Sequence, residues 1–406
     1  MRRTARDLRT RFAPTVLRAR LLEIFPPESL GLNGVSVLWF DSSDLGSMFQ
    51  DVEATTPVTA PEQPVALWLD KGKGVGPNLI YNNTFDNGVD DWTANQSTTI
   101  LSHGEDGTLV FTRTEPTGAG GVVHYFPTVA GRYYRLTVTL VSSTNFEDQG
   151  VMLRGGSNLA PIYHTFDAPG TASGVFRATG SSSVIYLRGT LGVNTWDNAE
   201  AREILGNHAT QSIAPRRPTY QAGEGLHWLA FDGVDDAMAT DDIDFTGTDK
   251  LSLFAGVRKV DATSRIILEL SNNVSGNAGS FYLASGSDSG FNGYQSLARG
   301  TYVANVLQIA GFSSATNPST DVLAITHDIA GDLSTMRGNG VAKTSGTGEK
   351  GAGNFGNYVL NIGSRGGTVA RFNGNIYGLI IADNLASAAE ITSIEKYLAG
   401  KTGVTI

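Results

Sequence analysis

The chain has 406 residues, 49 of them Gly, and only 17% are charged against about 25% in ordinary soluble domains, so it reads as a turn-rich β protein and neither a disordered nor a collagenous one. It has no Cys, which excludes a disulfide framework, a thiolate zinc site and a thiol nucleophile. The net charge of −9 is uneven: residues 1–20 hold seven Arg against Asp7, a local +6 that leaves −15 for the remainder, and an acidic body argues against a nucleic-acid partner.

The first element expected is a short helix after Pro14, with Leu17, Leu21, Ile24 and Phe25 on one stripe and Pro26-Pro27 as its stop. Residues 1–34 are therefore expected to form a basic helical arm that docks on a partner subunit or on its own oligomer mates. A transit peptide and a solvated tail are the other readings of the same residues. No apolar core of a secretory signal follows the Arg cluster, and no apolar run reaches membrane-spanning length, so no membrane insertion is expected.

Strands begin at Val35, Val37 and Trp39, which alternate with Ser36, Leu38 and Phe40. The stretches LWFDSSDLGSMFQD (38–51) and TTPVTAPEQPVALWLDKGKG (55–74) resemble a segment of bacteriophage and prophage structural proteins that precedes a concanavalin-A-like (laminin-G-like) lectin sandwich. In that family the Asp-Lys-x-Gly stretch runs directly into GNHATQ and RPTY. Here those words stand only at 206–211 and 217–220. The resemblance thus implies a discontinuous lectin-like domain, 35–76 and 206–406, interrupted by an inserted domain over 77–205; a linear order of domains is the other reading.

The interrupting stretch has period-two strands of its own. In RYYRLTVTLV, Tyr134, Leu136, Val138 and Leu140 face one way and Tyr133, Arg135, Thr137 and Thr139 the other. Asn78-Leu79, Asn83-x-Phe85-Asp86, Gly88 with Trp92, Gly131-x-Tyr133-Tyr134, Phe176-x-Ala178 and Trp196-Asp197-Asn198 resemble, in order and spacing, the carbohydrate-binding jelly-roll modules appended to glycoside hydrolases. That resemblance implies core roles for Trp92 and Trp196. It also implies a structural Ca²⁺ held by Asp86 and Asp197, whose other reading is as turn and strand-end residues. Val184, Tyr186 and Arg188 share one strand face, with Arg154 and Tyr163 expected on neighbouring strands. Arg154, Tyr163, Tyr186 and Arg188 are the candidate carbohydrate-binding residues, because aromatic faces stack on pyranose rings while guanidinium groups bond hydroxyls.

Beyond 206, HWLAFDGVDDAMAT (227–240) resembles the FDGxDD strand–turn–strand of laminin-G-like domains, and KLSLFAGVRKV, RIILEL, SFYLAS, VLAITHD and YVLNIGS are further strands. Asn373-Gly374 carries a hairpin signal. Ser387 and Glu390 form a capping box for a closing helix with Ile391, Ile394 and Leu398 on its apolar face and Gly400 or Gly403 at its end. The Asp pairs 90-91, 235-236 and 241-242 read as turn residues; a second ion at the last two is the rarer reading. Loops 271–279 and 285–296 are rich in Asn, Ser and Tyr and offer a weaker saccharide-contact reading.

The expected fold class is all-β: two β-sandwich (jelly-roll and lectin-like) domains, one inserted in the other, with a helical N-terminal arm and a C-terminal helix. The chain is expected to be a non-enzymatic fibre, spike or tail-tip protein of a phage or phage-like virion, assembled in the bacterial cytoplasm. It would bind host surface polysaccharide, contact other virion proteins through its arm, and form a homo-oligomer, a trimer by preference. A polysaccharide depolymerase and a purely structural decoration protein are the alternatives.

Overall fold

The computed structural model describes residues 37–115, 120–146, 151–156, 162–189, 191–286, 292–301, 310–313 and 316–406. The N-terminal arm and the centre of the 285–296 loop lie outside the described residues. Within them the chain is antiparallel β-sheet, with two short 3-10 turns and one closing α-helix, Ala388–Thr402.

The described strands form four sheets. An eight-stranded sheet centres on Asn373–Ala382, which lies between Leu226–Asp232 and Lys250–Lys259 and also pairs with Val37–Asp41. It faces a nine-stranded sheet across one core, where Leu38, Leu253, Ile325 and Leu379 meet Trp68, Ile267, Phe281 and Ile362. In the nine-stranded sheet Leu67–Trp68 is the direct neighbour of Ala209–Thr210, with Trp68 opposite Ala209 and Leu67 opposite Thr210. The strands between them in sequence, from Val75–Asn78 to Gly192–Ile204, pair only with one another, in a five-stranded and a six-stranded sheet. A second core separates that pair: Phe126, Leu153, Ile185 and Leu187 on one side, Phe111, Tyr134, Leu136 and Trp196 on the other. The molecule is thus all-β, built of two sandwiches.

Period two explains each layer. Along Tyr133–Ser143, Tyr134, Leu136, Val138 and Leu140 are buried while Arg135, Thr137 and Thr139 are partly open to solvent. Trp92 and Trp196 are both core residues of the smaller sandwich. Lys250–Lys259 departs from alternation because both its faces are covered: Leu251, Leu253, Ala255 and Val257 enter the core, and Phe254 lies under the helix with Ile394 and Leu398. The helix carries the capping box read from sequence, with Ser387 Oγ accepting from Glu390 N–H and the Glu390 carboxylate accepting from Ser387 N–H; Gly403 closes it at φ 72°.

One sequence expectation fails. Asn373-Gly374 is not a hairpin turn but the start of the strand Asn373–Ala382, opposite Asp232 and Phe231. The glycine answers to crowding: a Cβ at 374 would stand 2.1 Å from the Arg258 carbonyl oxygen of the neighbouring strand.

The chain leaves and re-enters the large sandwich through one junction. Asp70 is fully buried there, and its carboxylate accepts N–H bonds from Trp39 (2.8 Å), Gly72 (2.8 Å) and Asn207 (2.9 Å). His208 Nδ1 accepts from Asp70 N–H at 3.0 Å, so the proton sits on Nε2, which faces Ile204 O at 3.1 Å. Burial holds the His208 ring down to about 4, which keeps it neutral. Tyr133 of the smaller sandwich stands edge-on to His208 at 5.1 Å and donates its hydroxyl to Val52 O of the larger at 2.7 Å. Beside them Phe49, Leu67 and Leu69 form an apolar cluster with Tyr133, Val175 and Ile204.

Asp70→Ala strips an acceptor from two buried N–H groups and one half-buried one and is expected to cost about 3 kcal/mol or more, whereas Ser387→Ala is expected to cost about 1 kcal/mol. Chemical denaturation of both variants checks this; a smaller loss at Asp70 than at Ser387 contradicts the junction's role.

Candidate functional site

The five-stranded sheet has one face in the core and one facing away from it. Register decides which side chains share the outer face. Arg154 lies opposite Tyr163 on one neighbouring strand and opposite Tyr186 on the other, and Tyr186 lies opposite Val123. Leu153, Ile185 and Leu187 are core residues, so the row Tyr163–Arg154–Tyr186–Val123 points outward. Arg188 stands one row along, opposite Met152, and its Nη1 reaches the Met152 sulfur at 3.9 Å. The four residues singled out in the sequence therefore share one face.

Their exposure differs. Tyr163 is 62% exposed, and the Arg154 guanidinium stacks 5.8 Å from its ring centroid. Tyr186 is 3% exposed and Arg188 8%, so these two form the floor and not the rim. Gly121, beneath the Tyr186 ring, has no room for a Cβ: one would stand 2.9 Å from the ring and 2.1 Å from Leu187 O. Asn95 Nδ2 donates to the Tyr186 hydroxyl at 3.0 Å. Burial raises the Tyr186 pKa above the usual phenol value, against the lowering charges of Arg188, Arg113 and Arg154. Arg113, whose Nη1 donates to Gly189 O at 2.9 Å, extends the positive region.

Sequence reasoning missed Tyr125. It is 67% exposed and lies opposite Val184, on the same outer face. The alternation of Tyr125 with the core residues His124 and Phe126 was the signal for it. Tyr125 and Tyr163 sit on strands three places apart, about 14 Å at the usual strand spacing. The face thus offers two open aromatic rings with a guanidinium beside one of them.

Asp86 and Asp197, the pair the jelly-roll resemblance assigns to Ca²⁺, lie on segments joined by an Ala199 N–H to Asn83 O bond of 3.0 Å. Asp86 sits in a turn closed by Gly88 N–H to Phe85 O, and its carboxylate accepts from Thr84 Oγ1 at 2.6 Å. Asp197 precedes a register shift and accepts from Asn198 N–H at 2.7 Å and Asn198 Nδ2 at 3.0 Å. Both carboxylates thus serve their own turns. Among the described residues each carboxylate accepts from donors of its own turn, and the two turns are tied by that one backbone bond.

Among the described residues the acids close enough to share an ion are Asp232, Asp235 and Asp236. Asp232 Oδ1 accepts the N–H of Val234 (2.7 Å) and Asp235 (3.2 Å), and Asp236 Oδ2 accepts the N–H of Asp232 (2.9 Å). Arg371 Nη1 donates to Asp235 O at 2.7 Å. This is the self-bonded acidic turn read from sequence.

No family model matches the chain, and no curated protein matches it. Solved structures that are similar include the CBM40 of Ruminococcus gnavus IT-sialidase bound to alpha2,3 sialyllactose (14% identity, 39% of this chain and 97% of that one, TM-score 0.30). Domain 4 of AbnA, a GH43 extracellular arabinanase from Geobacillus stearothermophilus in complex with arabinotriose, matches at 16% identity over 44% of this chain and 81% of that one, TM-score 0.30. The NanB sialidase from Streptococcus pneumoniae matches at 16% identity over 41% of this chain, TM-score 0.30, and the match spans only 27% of that protein.

Burial pushes the Asp236 carboxyl up to about 7, and the charges of Asp232 and Asp235 add to it. A carboxyl whose pKa rises on folding stabilises fully below its unfolded value of 3.8 and loses that contribution as pH climbs through about 7. Stability is therefore expected to fall across that window, and Asp236→Asn to flatten the fall. Parallel profiles of wild type and variant in thermal unfolding against pH would contradict it.

Proposed function

We propose that the chain binds saccharide on the outer face of the five-stranded sheet and cleaves nothing there. The observation that carries this is the row Tyr163–Arg154–Tyr186 across three adjacent strands, with Tyr163 and Tyr125 open to solvent on one face. A flat apolar ring takes the axial C–H face of a pyranose, while guanidinium and amide groups bond its hydroxyls. Buried Tyr186 and Arg188 hold the floor, and Arg154 stacks on Tyr163; Tyr163 and Tyr125 supply the stacking surfaces. Two open rings about 14 Å apart laterally suit several consecutive residues of a chain.

The virion part of the proposal rests on the phage-like wording of 38–51, 55–74 and 206–220. In that reading the ligand is host surface polysaccharide, the larger sandwich and the basic arm tie the protein to the particle or to its mates, and repetition in a homo-oligomer, a trimer by preference, raises the avidity of weak single sites. Calcium between Asp86 and Asp197 belongs to the same proposal, and a chelator arm in the assay tests it.

On an immobilised glycan array the full chain is expected to bind, with Tyr163→Ala or Arg154→Ala weakening binding about tenfold or more, the loss of one aromatic or charge-assisted contact. Binding that survives both substitutions would remove this face from the account. Release of reducing ends from the bound glycan would favour the depolymerase reading. No binding, together with a requirement for assembly, would favour a structural brace.

A further inference from the structure

A second concave site lies where the two sandwiches meet. It is a cleft of about 270 Å³ bounded by Val52, Gly131–Tyr133, Arg177, the re-entering segment Gly206–Ser212, and Asp241 with Asp242. At about 30 Å³ per liquid water that is the room of roughly nine waters, or one sugar ring with several of them. Clefts between domains are favoured ligand sites.

The walls carry opposite charge. The smaller sandwich contributes Arg132 and Arg177, the larger Asp241 and Asp242. Adjacent residues of a regular strand point to opposite faces, yet both of these acids line the cleft. The reason is a register shift between Ala239 and Asp242, a bulge that turns neighbouring side chains to one side. Among the described residues neither carboxylate forms a hydrogen bond or ion pair, and neither does the Arg132 guanidinium. Arg177 spends its Nε on Gly131 O at 3.2 Å and stacks 5.8 Å from the Tyr133 ring centroid. Donors and acceptors thus face each other across open space without meeting.

We infer that this cleft binds a single neutral sugar residue, its vicinal hydroxyls donating to Asp241 and Asp242 and accepting from Arg132 and Arg177. Two guanidinium groups and two carboxylates balance, so neither an anion nor a cation gains from entry: each is drawn to one wall and repelled by the other. An apolar guest would displace water from these charged groups and return no hydrogen bond. A hydroxyl is both donor and acceptor and satisfies both walls at once. Asn207, Thr210 and Ser212 add further polar partners on the same lining. His208 contributes no charge, since its two ring nitrogens are committed to Asp70 N–H and Ile204 O. The inference shares the saccharide reading above but not its site, and an end-on or free sugar, not a chain interior, is what a cleft of this volume admits.

The test is saturation-transfer NMR of the full chain with D-glucose, D-galactose, D-mannose and D-xylose singly, and with glycine as a small zwitterion. At least one sugar is expected to saturate. Asp241→Asn with Asp242→Asn, and separately Arg132→Gln, are expected to raise its Kd about tenfold or more. Both lesions are at exposed side chains, and circular dichroism confirms their folding; Arg132→Lys, which keeps the charge and loses the planar fork, gives a conservative second arm with an intermediate Kd. Tyr163→Ala is titrated alongside to tell the two sites apart. Failure of all four sugars, saturation by glycine alone, or an unchanged Kd in the cleft variants overturns the cleft. So does loss of the sugar signal in Tyr163→Ala, which would assign the sugar to the sheet face.

Discussion

Asp70 is one carboxylate accepting from three stretches of chain: the first described strand at Trp39, the segment leaving the large sandwich at Gly72, and the segment returning at Asn207. The geometry of everything between Gly72 and Asn207 depends on it, because those two ends must lie side by side for Leu67–Trp68 to pair with Ala209–Thr210. Among the described residues no cation bonds the carboxylate, and Lys73 acts on it only through its field. Burial pushes its pKa up to about 6 against the pull of three N–H donors, so the bonds carry a real desolvation cost. Gly206 is the complement: at φ 131° a side chain there would be strained, and its Cβ would lie 2.7 Å from Asp70 Oδ2.

The junction also explains why the two candidate sites differ in kind. Tyr133 and Val175 of the smaller sandwich pack against Phe49, Leu67 and Leu69 of the larger, while Arg132, next in sequence to Tyr133, and Arg177, two residues beyond Val175, fall at the margin of that contact. An apolar seam with a charged margin leaves a polar recess. The sheet face, by contrast, owes nothing to the junction. It is the outward side of a five-stranded layer whose other side is committed to the core, and Gly121 and Gly155 let its neighbours approach closely. A Cβ at Gly155 would stand 2.3 Å from Leu136 of the opposite sheet.

Legibility followed the range of the interactions. Alternation such as Tyr134, Leu136, Val138 and Leu140 is written within one strand, and Ser387 with Glu390 is written within one helical turn, so both were readable. The shared face of Arg154, Tyr163, Tyr186 and Arg188 followed from the same alternation, but their burial did not: nothing in SVIYLRG says that Tyr186 is covered, and nothing in IYHTF that Tyr163 is open. Asn373-Gly374 misled because glycine serves both turns and close strand contacts, and only the Arg258 carbonyl distinguishes them. The Asp70 stitch and the cleft were illegible for another reason. Each joins residues more than a hundred positions apart, and the bulge that aims Asp241 and Asp242 together leaves no local signature.

The central claim, that saccharide is held on the outward face of the five-stranded sheet, is tested most directly by amide hydrogen–deuterium exchange of the full chain with and without a glycan selected on the array. The account predicts slowed exchange along Val151–Gly156, Ile162–Phe166 and Gly121–Pro127, with the strands of the large sandwich unaltered. Slowing confined to the large sandwich, or no glycan that changes exchange anywhere, would contradict it.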